Sequence, residues 1–295
     1  MRCIGVGMRC FVVVNPAACR GGRAGTPAAL EAALRRHALP FEMVRTTRAG
    51  EAASLVAEHG SAFDAVVVCG GDGTIHEVLQ SLDLERHILG VVPAGTGNDF
   101  AWMNGWPSQV EACVERVAAA RERRVDLGAW NGRRFHNSIG LGFEGRVNYE
   151  SHRIRRLRGP AVYLAAVART LAQRTPAPLR FEWDGGSWEG EVFMASVCIG
   201  RRVGGAFRLA PQARNDDGLF DLCFVRDLDL WRILALLPRT FSGAHLRSPH
   251  VRALQTPQLR IEAPQGIPVH VDGEFVALDV RLLELRCLPG ALRTF

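Results

Sequence analysis

Residues 65–79, Ala-Val-Val-Val-Cys-Gly-Gly-Asp-Gly-Thr-Ile-His-Glu-Val-Leu, constrain the fold of this chain more than any other stretch. The uninterrupted apolar run from Ala65 to Cys69 predicts a strand buried on both faces, as in a parallel sheet. Gly70, Gly71, Asp72 and Gly73 then reverse the chain into a helix that starts near Thr74. Glycine lets backbone N–H groups come close to a phosphate, and the N-terminus of the following helix brings its positive dipole end to the same place. Asp72 would repel a phosphate unless a cation lay between them, so it points to Mg²⁺ carried on a nucleotide, bound directly or through water. A glycine turn in an ordinary α/β protein has the same local pattern, and the rest of the chain has to decide between the two.

The first half repeats the strand, loop, helix rhythm. Phe11–Val14 reads as a strand that runs through Asn15 and Pro16 into a loop, Ala17–Gly25, with Arg20 and Arg23. Thr26 followed by Pro27 has the form of a cap and first helical residue. Phe41–Thr46 is the next strand, Glu51–Glu58 the next helix, and Ile88–Val92 a fourth strand that leaves through Gly95–Asp99 into Phe100–Met103. Ser108 with Glu111 reads as a capping box for a helix to about Arg121, and Val125–Leu127 as a closing strand. This alternation predicts an α/β N-terminal domain with an open, mostly parallel sheet. In such sheets ligands sit beyond the carboxyl ends of the strands, where Asn15, Thr46, Asp72 and the Gly95–Asp99 loop all fall.

After Leu127 the pattern changes to short strands between glycine turns, which predicts a mainly-β C-terminal sandwich of two antiparallel sheets. Pro160–Gln173 and Leu228–Phe241 interrupt it as helices. In the last strand the apolar residues Val276, Leu278, Val280 and Leu282 shift phase to Leu283 and Leu285, which marks a bulge or a crossing between sheets. The expected domains are 8–127 and 128–286, with a tail at about 287–295 free to return to the first; Met8 is as good a start as Met1.

Composition removes several alternatives. All 36 basic residues are arginine, so a Walker lysine, a protein-kinase strand lysine and Schiff-base chemistry are excluded together. Phosphate would have to be met by backbone N–H groups, hydroxyls, arginine and metal. The eight cysteines and nine histidines show no paired metal-ligand spacing, and reduced core cysteines are expected. No stretch is long and apolar enough to span a bilayer, and the N-terminal apolar run lacks a processing pattern, so a cytoplasmic location is expected. The net charge of +6 permits nucleic-acid binding, but no aromatic-basic motif supports it.

Five segments, in order, carry a resemblance. They are Gly70–Thr74 with His76 and Glu77, Gly95–Ala101, Asn137–Phe143, Ala210–Leu219, and Asp272-Gly273-Glu274. Together they resemble the diacylglycerol kinase catalytic family, in its bacterial soluble lipid-kinase branch, over nearly the whole chain. The glycine-aspartate core alone is shared with NAD kinases and phosphofructokinases; the late Asp-Gly-Glu and the Gly95–Ala101 loop narrow it.

The resemblance implies ATP with its phosphates along Gly70, Gly71, Asp72, Gly73, Thr74, Ile75 and His76, and with Asn15, Thr46 and Thr96 alongside. Asp72, with Asp99 and Asp126 as network partners, would hold nucleotide-bound Mg²⁺ through water; a helix cap for Asp99 and a strand-end turn for Asp126 are equal alternatives. Glu274 would be the general base and Asp272 an orienting or structural residue, in what is also a hairpin turn. Asp217, with the carbonyls of Arg214 and Leu219, would bind a second, structural Mg²⁺. The implied acceptor is a lipid, diacylglycerol first, presented at a membrane surface toward which the arginines of Ser151–Gly159 would be drawn, unless that run is a solvated loop. Trp102 and Trp106 depart from the family pattern and read either as an apolar wall near the acyl chains or as core packing. An NAD kinase-like enzyme and a non-catalytic lipid- or nucleotide-binding regulator are the alternatives, and a homodimer is compatible with the sequence.

Overall fold

The computed structural model of the chain describes residues 7–20, 25–154 and 160–295. Arg23 of the first loop and Arg155, Arg156 and Arg158 of the basic run lie outside the described residues. Contacts divide the chain into two compact units, one reaching to Leu127 and including Pro289–Phe295, the other Gly128–Leu288. No helix among the described residues is long and apolar enough to cross a membrane.

The first unit is built from β1 (Cys10–Val14), α1 (Thr26–Arg36), β2 (Phe41–Arg45), α2 (Glu51–His59), β3 (Ala65–Gly70), α3 (Asp72–Leu79), β4 (Ile88–Pro93), α4 (Asp99–Met103), α5 (Val110–Ala118) and the first five residues of β5 (Arg123–Trp130), whose last three belong to the second unit. β2, β1, β3 and β4 pair in parallel in that order, with Val12 opposite both Met43 and Val67. β1 and β3 are buried along their whole length, as their continuous apolar runs require, while the edge strand β2 is only partly covered. Each fully buried valine of β3 contributes about 1.5–3 kcal/mol over its exposed state. All three strands end at the same edge, and Asn15, Thr46 and Gly71 follow their last residues directly.

Two helix starts differ from expectation. α1 is capped by Gly25 with no side-chain bond, so Thr26 and Pro27 lie within its first turn. α5 starts after Gln109, and the expected capping box does not form. Glu111 instead accepts hydrogen bonds from Arg36 and lies 3.1 Å from His37 Nε2, tying α5 to the end of α1. The Arg36 guanidinium, with the His37 ring beside it, outcompetes one backbone N–H for this carboxylate.

The second unit contains β6 (Arg133–Phe135), β7 (Ser138–Gly142), α6 (Phe143–Arg153), α7 (Pro160–Gln173), β8 (Ala177–Trp183), β9 (Gly186–Cys198), β10 (Phe220–Arg226), α8 (Leu230–Leu236), β11 (Val251–Thr256), β12 (Gln258–Val271) and β13 (Glu274–Thr294). The pairings made by β6 to β12 in this unit are antiparallel. They do not separate into two sheets. β9 and β12 are long enough to pair with β8 over their first halves and with β7 over their second, which joins the strands into one hydrogen-bonded network. Phe135, Phe181, Phe220 and Phe224 fill the core of this unit. The phase shift in β13 coincides with a register break in β12 between Glu262 and Ile267, where Gly266 adopts φ +78° against Asp279. Beyond it Leu283, Leu285 and Cys287 face the core. The last residues of β13 belong to the first unit, where Arg293 and Thr294 pair in parallel with Ile88 and Leu89.

Candidate active site

In the first unit the two glycine loops are keyed into each other through their backbones. A Cβ on Gly71 would lie 2.9 Å from the Gly95 Cα, and one on Gly95 would lie 2.5 Å from the Gly71 Cα. Gly70 leaves room for Thr74, whose Oγ1 would stand 2.7 Å from a Cβ there. That hydroxyl accepts the Asn15 Nδ2–H at 2.9 Å, so the ends of β1 and β3 are joined above the sheet. Asn15 Oδ1 also accepts the Ala17 N–H, turning the chain away from β1. Thr46 joins the same edge through its N–H, which donates to the Val14 carbonyl at 2.9 Å.

α3 starts at Asp72, two residues earlier than expected, and its N-cap is Gly71, which has no side chain to cap with. Ile75 and His76 are buried, so what they offer a ligand in this turn is backbone. The Asp72 carboxylate accepts two N–H groups from the start of α4, Asp99 to Oδ2 and Phe100 to Oδ1, both at 3.0 Å. An acidic group at a helix N-terminus is stabilised by the same dipole that favours anions there. Asn98, in the left-handed region at φ 50°, closes the second loop by bonding both the N–H and the carbonyl of Gly95. Thr96 is exposed at the tip of this loop.

Asp99 is buried, and Asp126 accepts the Gly290 N–H at 2.7 Å, anchoring the returning C-terminal strand. Among the described residues these carboxylates do not form a compact set of metal ligands; the one cluster close enough is His37, Glu111 and Glu115, which Arg36 already shares. Asp72 is therefore not part of a set of three or more such side-chain ligands among the described residues. A cation that arrives on a nucleotide with most of its own water, and needs one carboxylate, fits it. Trp106 is buried at 7% exposure under the Arg116 guanidinium, 4.4 Å from the ring centre, which makes it core packing. Trp102 remains 43% exposed.

In the second unit Asp272 and Gly273 form a two-residue hairpin loop between β12 and β13, both at positive φ (50° and 86°), as an Asp-Gly hairpin turn demands. The Asp272 side chain is fully buried. Its Oδ1 accepts the N–H groups of Asn137 and Ser138 at 2.9 and 3.1 Å, and its Oδ2 accepts that of His136 at 3.0 Å. The turn is thus bolted to the entry of β7. On its other side Gly273 donates its N–H to His270 Nδ1 at 3.3 Å, and its carbonyl accepts from Asn148 of α6. With Nδ1 accepting, His270 carries its proton on Nε2, which faces Glu144 Oε2 at 3.4 Å; Glu144 in turn accepts from Ser196. Glu274, the next residue, is exposed, and among the described residues none is bonded to its carboxylate.

The sequence reading missed the residues that hold this hairpin, His270, Asn148 and Glu144. It named Asn98 and Glu77 only within the resembling segments and gave them no role; Glu77 accepts the Gly50 and Ala52 N–H groups at the start of α2. Only Asn98, an asparagine between glycine and aspartate, carried a local signal. At the second expected metal site Asp217 Oδ1 accepts the Leu219 N–H at 3.1 Å across Gly218 at φ +75°, so the turn closes on its own bond. Arg214 directs its guanidinium at Asp216.

Comparison with known proteins gives a consistent family picture. Residues 9–130 match the family described as "Diacylglycerol kinase catalytic domain", and residues 137–295 the "YegS C-terminal NAD kinase beta sandwich-like domain". The chain is 29% identical over 235 residues to a "Diacylglycerol kinase" of Bacillus subtilis (strain 168), covering 78% of each. It is 36% identical over 249 residues to a "Probable lipid kinase YegS-like" of Pseudomonas aeruginosa (strain UCBPP-PA14), covering 83% of this chain and 80% of that one. A crystal structure described as that of a diacylglycerol kinase from Bacillus anthracis str. Sterne superposes with a TM-score of 0.74 at 21% identity, over 97% of this chain and 96% of that chain.

Proposed function

The chain belongs to the diacylglycerol kinase catalytic family, and from this premise we propose that it transfers the γ-phosphoryl group of ATP to a lipid hydroxyl, diacylglycerol first, presented at a membrane surface. The observation that carries the reading is the hairpin. A buried aspartate with three backbone N–H groups holds its turn, and the next residue is an exposed carboxylate.

A lipid hydroxyl is too weak an acid to ionise at neutral pH, so Glu274 takes its proton as the oxygen attacks the γ-phosphorus. The bond from that phosphorus to the bridging oxygen breaks, and its electron pair leaves with ADP. The transition state is loose, so the protein's work is alignment and charge neutralisation. The N–H groups of Gly70, Gly71 and Gly73 and the start of α3 face the phosphates, joined by the side chains of Asn15, Thr46, Thr74 and Thr96. Asp72 would hold a nucleotide-bound Mg²⁺ through water, with the buried carboxylates of Asp99 and Asp126 as network partners, and the ion would supply positive charge at the phosphate oxygens. Asp217 and the carbonyls of Arg214 and Leu219 would hold a second, structural Mg²⁺ at a turn already closed by its own bond.

The test is transfer of labelled phosphate from ATP into a lipid extract in mixed micelles, by wild type and Glu274→Gln. A labelled lipid made by the wild type and lost in the variant supports both the transfer and the base, and its identity names the acceptor. Label in soluble NAD would move the chain to a nucleotide kinase. Label in neither would leave a non-catalytic binder.

A further inference from the structure

An apolar ridge on the second unit takes no part in the site. α8 is capped by Asp229, whose carboxylate accepts the Arg232 N–H, and it turns Ile233 and Leu236 inward against Phe143 and Phe193. Its other side is left uncovered. Leu230 and Leu234 are exposed there, Trp231 is 80% exposed, and the following turn, Leu237–Phe241, adds Phe241 at 54%. The ridge continues onto α7: the Phe241 ring lies 4.9 Å from that of Phe207, which lies 5.3 Å from Tyr163, beside Leu164 at 67% exposure. Exposed apolar side chains gathered on neighbouring segments in this way mark an interaction site.

Charge identifies the occupant. From Arg226 to Arg252 the chain carries Arg226, Arg232, Arg239, Arg247 and Arg252 against two acids. Those acids are engaged locally, Asp227 with Arg174 at 3.5 Å and Asp229 with Arg232 at 3.3 Å. A second copy seated on this face would set the same cationic segment against itself, because a two-fold interface places like against like. An anionic bilayer meets both halves of the pattern: phosphates for the arginines, and an interfacial zone for tryptophan, phenylalanine and leucine.

We propose that this ridge docks the chain on an anionic phospholipid bilayer, with Trp231, Leu234 and Phe241 entering the boundary between headgroups and acyl chains. The inference rests on the lipid-kinase reading, since the acceptor of that reaction resides in a bilayer. The experiment is sedimentation of the full chain with phosphatidylcholine vesicles, with and without phosphatidylglycerol. The wild type partitions onto the anionic vesicles, Trp231→Ala weakens that about tenfold through lost apolar burial, and Arg232→Gln with Arg239→Gln weakens it by a similar factor that disappears at high salt. Trp231 is largely solvent-exposed, so its loss leaves the fold intact, which circular dichroism checks.

No binding by the wild type, or binding that Trp231→Ala leaves unchanged, overturns the proposal. So does a dimer in solution that the same variant dissociates. Phosphorylation of lipid dissolved in detergent micelles separates this from the reading beneath it. Micelle activity retained by Trp231→Ala while vesicle binding is lost supports the ridge, whereas a wild type inactive in micelles refutes the kinase reading, with the vesicle result still judging the ridge.

Discussion

Removing the Asp272 carboxylate tests whether the hairpin is held as described. Asp272→Ala strips the partner from three backbone N–H groups at 2.9–3.1 Å, those of His136, Asn137 and Ser138. Each such bond to a charged acceptor is worth about 1.5–3 kcal/mol. Their sum is not the expected loss, because the wild type also carries the cost of a fully buried carboxylate, which the variant relieves. Balancing the two, the second unit should lose about 3–4 kcal/mol, at the upper end for one substitution. Asp272→Asn keeps the shape and an oxygen for Asn137 and Ser138, but sets an amide against the His136 N–H, so it should lose about 2 kcal/mol. Urea unfolding followed by tryptophan fluorescence reads the midpoint, and the denaturant slope should not change. Turnover should fall about a hundredfold in Asp272→Asn as Glu274 is displaced, with Glu274 itself intact. A stability loss under about 1 kcal/mol in Asp272→Ala would refute the anchoring role; a turnover loss with unchanged stability would make Asp272 a participant in the chemistry.

Further outcomes follow from other contacts. Gly95→Ala drives a Cβ to 2.5 Å from the Gly71 backbone, which no rotamer relieves, so it should cost about 1–3 kcal/mol and raise the KM for ATP more than that for lipid; unchanged thermal unfolding would contradict the keyed loops. His87 is neutral, with Nδ1 accepting the Asp83 N–H and Nε2 donating to the Gly60 carbonyl, and burial holds it below its ordinary value of 6.5. The unfolded chain therefore binds this proton at a higher pH than the folded one, so the stability it contributes is present above 6.5 and lost as pH falls through the folded value. Unfolding midpoints measured across that range should slope less in His87→Gln, and only partly less, because burial lowers His245 in the same direction. Mg²⁺ without nucleotide should raise the unfolding temperature of the wild type and not of Asp217→Asn, and removal by chelator should leave the variant unmoved; equal shifts in both would argue against a cation at that turn.

What the sequence made legible, and what it did not, follows from range. β1, β3 and β4 were readable because strands buried on both faces are unbroken apolar runs. α6 was not: its apolar positions are few, and Gly145 sits inside it. Only the packing explains that glycine, since a Cβ there would lie 2.3 Å from the Pro268 carbonyl oxygen of β12. β8 was hidden by Pro178, which falls where β9 is paired and β12 is not. At the site, the Gly-Gly-Asp-Gly and Asp-Gly-Glu segments were visible as turns. The groups that hold Asp272 are 134–136 residues away in sequence and are backbone N–H groups, which no residue identity encodes.

The absence of lysine gives these backbone features their weight. On the proposed reading a phosphate in the first unit meets no ammonium, and its charge has to be balanced by peptide dipoles, hydroxyls and a divalent cation. Dipoles serve only if they are fixed before the ligand arrives, because a loop that must reorganise gives back in entropy what it gains in attraction. The contacts around Asp72 meet that requirement. Its carboxylate clamps the first N–H groups of α4, Asn98 closes the loop before them, and Gly71 and Gly95 lock the two loops with no side chain between. Asp72 is thus fastened at the place where it would face Mg²⁺, and its scaffold and electrostatic roles cannot be separated by deleting it. Glu274 is mounted in the opposite way, on a rigid turn with its carboxylate exposed and, among the described residues, unbound, which is the arrangement a base needs if its lone pair is to meet a proton rather than a neighbour.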